Sequence, residues 1–295
     1  MKNKTVKKLK KNITFTLFVA PAVILFSVFI LYPFLRSILY SLRDWNGIST
    51  SSSFIGLDNY TKAFKDTKFL GTVSFTVKYT VILMVLSNFI SLLLALALNM
   101  PLKIRGALRA SFFMPMMMGS ITIGYLWNFT IVRIFPIIGK TLSLSAMQKN
   151  WFAYPETAFW ALIIVSVWHL IGYYMLIYLA GLQSIPTELN ESAEIDGATA
   201  WKKFCHITFP LLRPSLTICT FLSLLSGLKS FDLNYALTKG GPFGTTQSIA
   251  FQIYMDAFDN NQLSYASAKA VILCIAIAAI SALQIKLTSG KEIEA

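Results

Sequence analysis

Six apolar runs, each about as long as a helix needs to cross a bilayer, constrain this chain more than any other feature. They cover roughly Ile13–Leu35, Val73–Leu98, Leu108–Ile131, Thr157–Leu182, Leu212–Leu228 and Tyr265–Leu287. At about 1.5 Å per residue, ~20 residues cross a hydrocarbon core of ~30 Å. No water is available there to satisfy backbone N–H and C=O groups, so such runs must be helical. Only 13% of the 295 residues are charged, against about a quarter in a soluble domain. The expected fold is therefore an all-α, polytopic membrane protein with six transmembrane helices. Its natural divisions are a basic N-terminus (1–12), a first span with its loop (13–71), a core of five spans (72–288) and a short tail (289–295). The first apolar run exceeds the 7–15 residues of a signal-peptide core and lacks a small-x-small cleavage site, so it reads as an uncleaved anchor.

Charge sets the expected orientation. The net charge of +13 is gathered beside spans: Lys2, Lys4, Lys7, Lys8, Lys10 and Lys11 before the first, and Lys103, Arg105 and Arg109 around one short loop. Positive charge beside spans marks cytoplasmic segments. This places both termini, loop 99–107 and loop 183–210 in the cytoplasm, with 36–71, 132–156 and 229–264 outside. Nucleic acid is disfavoured, because no basic face is interleaved with aromatics. Lys78 and Lys269, near the outer ends of their spans, can snorkel. No carboxylate lies deep in a span, whereas ion-coupled carriers keep such groups for coupling. Cys205, Cys219 and Cys274 are widely separated, and His169 and His206 have no spaced partners, so no metal site is expected. No G-x-x-x-x-G-K-[ST] phosphate loop occurs, so ATP would not be bound by this chain.

Loop 183–210 is the anomaly, because its acids outnumber its lysines. Thr187 can cap a short helix carrying Glu188 and Glu191 in its first turn, where the dipole favours negative charge. Gly197 can reverse the chain after about Asp196. From Ala198 a second helix would gather Trp201, Cys205 and Thr208 on one face, and Lys202, Lys203 and His206 on the other. A hairpin in the lipid interface, a solvated loop and a docking element for a cytoplasmic partner all remain open on these grounds. The four acids weigh against an anionic leaflet, and the docking element is slightly favoured.

The run ESAEIDGA, Glu191 to Ala198, followed by ITFP, Ile207 to Pro210, resembles the cytoplasmic signature loop of ABC importer permease subunits. That pattern reads Glu-Ala-Ala, three residues, Gly, nine residues, Ile-x-Leu-Pro. The spacing is kept, with Ser192 and Phe209 as the departures. Ala20-Pro21-Ala22 with Leu31-Tyr32-Pro33-Phe34, and LTKGGP from Leu237 to Pro242, resemble the carbohydrate-type branch. The resemblance implies a type I importer permease fold whose loop between spans four and five forms a coupling helix. It also implies Glu191, Ala193, Asp196, Gly197 and Ala198 as the coupling surface. The implied partners are a second homologous permease, two cytoplasmic ATP-binding subunits that use ATP and Mg, and an extracellular solute-binding protein. No cofactor would belong to this chain, and it would be a transport subunit rather than an enzyme, in the bacterial plasma membrane.

Small and polar residues inside spans serve either helix packing or a solute path. Ser223, Ser226, Gly227 and Ser230 share a stripe of the fifth span, and Met116, Gly119 and Ser120 follow Pro115 in the third. Trp168, His169, Gly172, Tyr173 and Tyr174 sit mid-way along the fourth. Packing explains any one of them alone. Together they suit a sugar, with aromatic faces for C–H groups and hydroxyls for hydrogen bonds. The resemblance puts a solute site on these spans, with Ser120, Gly172, Tyr173, Ser223, Gly227 and Ser230 as its candidates. Other solutes stay open: a polyol phosphate, sugar acid, peptide or polyamine, or an ion-coupled carrier's cargo. An anion would need a base such as Lys229 or Lys269.

Overall fold

The structure is a computed structural model and describes residues 2–288, with side-chain surroundings from Thr14 onward. The predicted tail 289–295 lies outside the described residues. In chain order, α1 (Lys2–Phe26) passes through a π turn (Ser27–Leu31) into α2 (Tyr32–Ser41). A two-residue hairpin, β1 (Arg43–Asp44) with β2 (Ser53–Phe54), leads to α3 (Asp58–Lys65). Then come α4 (Thr67–Asn99), α5 (Arg105–Phe113), a 3₁₀ turn (Met114–Met117), α6 (Ser120–Phe129), a π turn (Thr130–Ile134) and α7 (Phe135–Thr141). They are followed by α8 (Ser145–Gln148), α9 (Pro155–Gln183), α10 (Thr187–Ile195), α11 (Ala200–Lys203), a π turn (Phe204–Thr208) and α12 (Phe209–Leu211). The chain finishes with α13 (Arg213–Leu228), α14 (Asp232–Leu237), α15 (Ile249–Tyr254), a π turn (Met255–Asp259) and α16 (Leu263–Thr288).

Among the described residues, five helices are long and apolar enough to cross a membrane: Thr14–Ser41, Thr67–Asn99, Ser120–Thr141, Pro155–Gln183 and Leu263–Thr288. A sixth crossing arises when Ala200–Leu211 and Arg213–Leu228, bent by 66°, count as one. The bend lies between Pro210 and Pro214, which remove backbone donors where the helix would otherwise continue. The predicted third span, Leu108–Ile131, is corrected. Pro115 sits in the 3₁₀ turn, Met118 and Gly119 are extended, and a new helix starts at Ser120. The membrane-length helix is therefore Ser120–Thr141, and much of the expected outer loop 132–156 is helical.

The described residues divide into two compact units, 2–65 with 253–272 and 66–252 with 273–288. In the first, Asn59 donates to the carbonyls of Ser41 (2.9 Å) and Arg43 (2.8 Å), and Ser41 and Tyr60 share a 2.6 Å bond. Lys269, expected to snorkel, is instead fully buried. It pairs with Asp256 at 2.7 Å and lies 4.1 Å from the Tyr265 ring centroid. A buried ammonium must be paired, since an isolated charge in low dielectric is expensive.

In the second unit α4 and α9 form the centre, with Tyr79, Leu83, Leu162 and Val165 in one apolar cluster, and Ala95, Tyr178, Leu179 and Leu182 in another. Hydrogen bonds stitch these helices where apolar packing gives no preference for protein over lipid. Asn88 donates to Ser223 Oγ (3.0 Å) and accepts from Tyr178 OH (2.7 Å), and Ser91 donates to the Ile171 carbonyl (2.9 Å).

Candidate functional site

Within the second unit a cavity of about 400 Å³ opens among α4, the start of α6, α9 and the end of α13. Tyr79 and Leu83 line it from α4, Met116 and Ser120 from the broken third span, and Ser166, His169 and Leu170 from α9. The wall is closed by Leu225, Ser226, Lys229 and Ser230, then Phe231, Asp232 and Leu233 at the start of α14. The break at Met118–Gly119 matters here, because it brings Ser120 to the cavity at the first turn of a new helix.

Its chemistry is that of hydroxyls with one charge of each sign. Ser166 Oγ donates to the Leu162 carbonyl (2.7 Å), so Tyr79 OH, 2.5 Å away, is the donor of their shared bond. His169 Nε2 donates to the Met118 carbonyl at 3.3 Å and ties α9 to the break. Ser230 Oγ donates to Asn234 Oδ1. Lys229 and Asp232 are both exposed on the same wall.

The sequence candidates divide. Ser120 and Ser230 line the cavity, and so does Ser226 from the same stripe. Gly172 does not: a Cβ there would lie 1.9 Å from the Phe112 carbonyl oxygen, so the glycine permits backbone-to-backbone packing of α9 on α5. Gly227 likewise lets α13 approach α4, with Thr80 Cα 2.8 Å from an added Cβ. Ser223 is buried in the Asn88 network. Tyr173 is half-buried, its ring tilted against Tyr174 at 5.9 Å. Tyr79, Ser166 and Asp232 escaped the sequence reading, although a tyrosine and a serine inside apolar runs were signals that could have marked the first two.

The candidates of loop 183–210 lie together, apart from that cavity. Helix α10 begins at Thr187 itself, with Pro186 before it and no side-chain cap, which corrects the expected capping role. It ends in a paired reversal: Gly197 N–H donates to the Glu194 carbonyl (3.0 Å) and Ala198 N–H to Ala193 (2.9 Å). Gly197 has φ +71°, the left-handed geometry this motif requires. Thr199 then caps α11, accepting from Lys202 N–H at 3.4 Å. Lys203 Nζ reaches back to Glu194 at 2.6 Å. Its hydrogen bond and charge hold that carboxyl below the usual range. Glu191, Asp196 and Gly197 are exposed, Ala198 is half-buried and Ala193 is buried. Ile195 and Trp201 are 87% and 71% exposed, so the loop presents apolar as well as acidic groups.

Residues 87–287 match the family described as binding-protein-dependent transport system inner membrane component. The chain is 38% identical to the "Probable starch degradation products transport system permease protein AmyD" of Thermoanaerobacterium thermosulfurigenes, over 99% of each chain. It is 34% identical to the "Multiple sugar-binding transport system permease protein MsmF" of Streptococcus mutans, over 97% of this chain and 99% of that one. In fold it is similar to a chain of a bacterial ABC transporter involved in the import of alginate, at TM-score 0.84 and 20% identity, covering 97% and 98% of the two chains. The matched segment runs from the second half of α4 through α9, the reversing loop and α13 nearly to the end of α16, and the chain belongs to the family of binding-protein-dependent transport system inner membrane components.

Proposed function

We propose that this chain is one permease subunit of an ABC importer for a neutral sugar or oligosaccharide. With a second, homologous permease it forms the translocation path. An extracellular binding protein delivers the solute, and two cytoplasmic subunits hydrolyse ATP with Mg; this chain carries no ATPase site of its own. The reversing loop is the docking element, offering Glu191, Asp196, Gly197 and Ala198 to an ATPase cleft, with buried Ala193 as the spacer behind them. Alternating access follows when closure of the ATPase pair is transmitted through α10 to the spans.

The observation that carries the solute class is the cavity wall. Several hydroxyls and two aromatic rings face it, and its ammonium, Lys229, is matched by the Asp232 carboxylate. An anionic solute would need an uncompensated base, and Lys269 is already paired to Asp256. Sugar-related names among the relatives support the same class. The test is uptake by the reconstituted transporter, with its binding protein and ATPase subunits. A neutral malto-oligosaccharide should be taken up in an ATP-dependent manner, and Tyr79→Phe with Ser230→Ala should lower the rate roughly tenfold, since about 1.4 kcal/mol is a factor of ten. Uptake of a sugar phosphate in preference to the neutral sugar would overturn the reading.

A further inference from the structure

A second, larger opening of about 690 Å³ lies in the same unit between the first turns of α4, the start of α9 and the loop at 243–247. Lys68 and Lys78 of α4 line it, together with a single carboxylate, Glu156 of α9. Lys78 is exposed and stands 4.9 Å from the Phe159 ring centroid. It has no carboxylate partner among the described residues. Directly along the groove is an apolar crevice of about 240 Å³, lined by Leu86 and Ile90 of α4 and by Ile164, Val167 and Ile171 of α9. Trp160 lines both openings and joins them.

The register makes these one groove. Lys78, Ile82, Leu86 and Ile90 recur every four residues on one face of α4. From Lys78 to Ile90 the helix rises about 18 Å, close to the ~15 Å of one leaflet's hydrocarbon. A cationic end with a tryptophan below it, continued by a wall without polar groups for the length of an acyl chain, matches a phospholipid from headgroup to tail. Trp160 and Ile164 are each 48% exposed, so the wall is open from the side.

We propose that this groove binds an anionic glycerophospholipid of the leaflet that meets the start of α9. Lys78 holds its phosphodiester, Lys68, about 15 Å further along α4, adds positive potential at the mouth, and one acyl chain lies in the Leu86–Ile171 crevice. Charge complementarity selects the lipid's class: two ammonium groups against one carboxylate favour phosphatidylglycerol over a zwitterionic headgroup. The site is separate from the solute cavity and does not depend on which solute is carried.

The test uses the whole transporter in phosphatidylcholine nanodiscs containing a small fraction of phosphatidylglycerol with a photoactivatable acyl chain. Labelling should map to peptides containing residues 86–90 and 164–171. Unlabelled phosphatidylglycerol should displace it, and added phosphatidylcholine should not. The double variant K68Q/K78Q should lower labelling roughly thirtyfold, by loss of two surface-lysine attractions. Because the headgroup competition uses the unaltered protein, it decides the question even if the double variant folds poorly. Equal displacement by phosphatidylcholine, or labelling indifferent to both lysines, overturns the proposal. So does efficient cross-linking of Ile164→Cys to the second permease, which would make the groove a protein interface.

Discussion

At the scale of single residues, Gly172 and Ser120 illustrate opposite fates of the same kind of sequence signal. Both are small residues inside apolar runs, and nothing in one chain's sequence tells a residue that faces a neighbouring helix from one that faces a cavity. The backbone of α5 lies against Gly172, and a carbonyl has no flexible end to move aside. Gly172→Ala should therefore cost about 1–3 kcal/mol or more through overpacking, read as a lowered unfolding temperature of the detergent-solubilised protein. Ser120→Ala removes a cavity hydroxyl without a clash; stability should stay within about 0.5 kcal/mol while uptake falls. Equal thermal stability of the two variants would contradict this division. Tyr79 was missed for a related reason: a tyrosine in an apolar run resembles an interfacial anchor until α9 is seen to place Ser166 beside it.

At the scale of elements, the α10–α11 hairpin was the most legible part of the fold. Its acids, glycine and lysines read directly as helix, reversal and helix, because these signals are local. The start of α10 was less legible, since Pro186 takes the place given to a capping side chain. An L-residue at φ +71° costs about 1–2 kcal/mol, and a β-branched one meets further crowding. Gly197→Val should consequently leave membrane insertion intact but weaken ATPase binding by roughly tenfold, measured by co-purification and by solute-stimulated hydrolysis. Gly197→Asn should be milder, since asparagine tolerates this geometry. The Glu194–Lys203 link adds a pH expectation. Because the carboxyl is held low when folded, the link is fully present above the ordinary glutamate range and is lost as pH falls through the depressed value. Carboxyl NMR should give Glu194 a midpoint below that range, and Lys203→Gln should return it; an unchanged midpoint would rule out the pairing in solution.

For the whole molecule, hydropathy revealed nearly all the crossings, but the third was misplaced and the fifth is interrupted. The expected third span ends at Ile131, before Arg133, whereas the helix carries that exposed arginine through to Thr141. Polar residues near a span's end can snorkel, so hydropathy alone marks such an end too early. The number of crossings can be measured. If Ala200–Leu228 crosses despite its bend, a cysteine at Lys202 should react with an impermeant reagent only from the cytoplasm, and one at Phe243, 98% exposed, only from outside. If that pair merely dips into the membrane, both would react from the same side, and the six-span arrangement would be wrong.

The brevity of α13 has a consequence of its own. Its 16 residues rise about 24 Å, against a bilayer interior of ~30 Å. The straight part of this crossing falls about 6 Å short of that interior, and the bent segment Ala200–Leu211 before it has to make up the rest. Here the helix gives way to Lys229, Ser230 and Asp232, groups that retain hydration. This crossing therefore ends at the cavity in groups that carry charge and hydroxyls, and not in apolar helix.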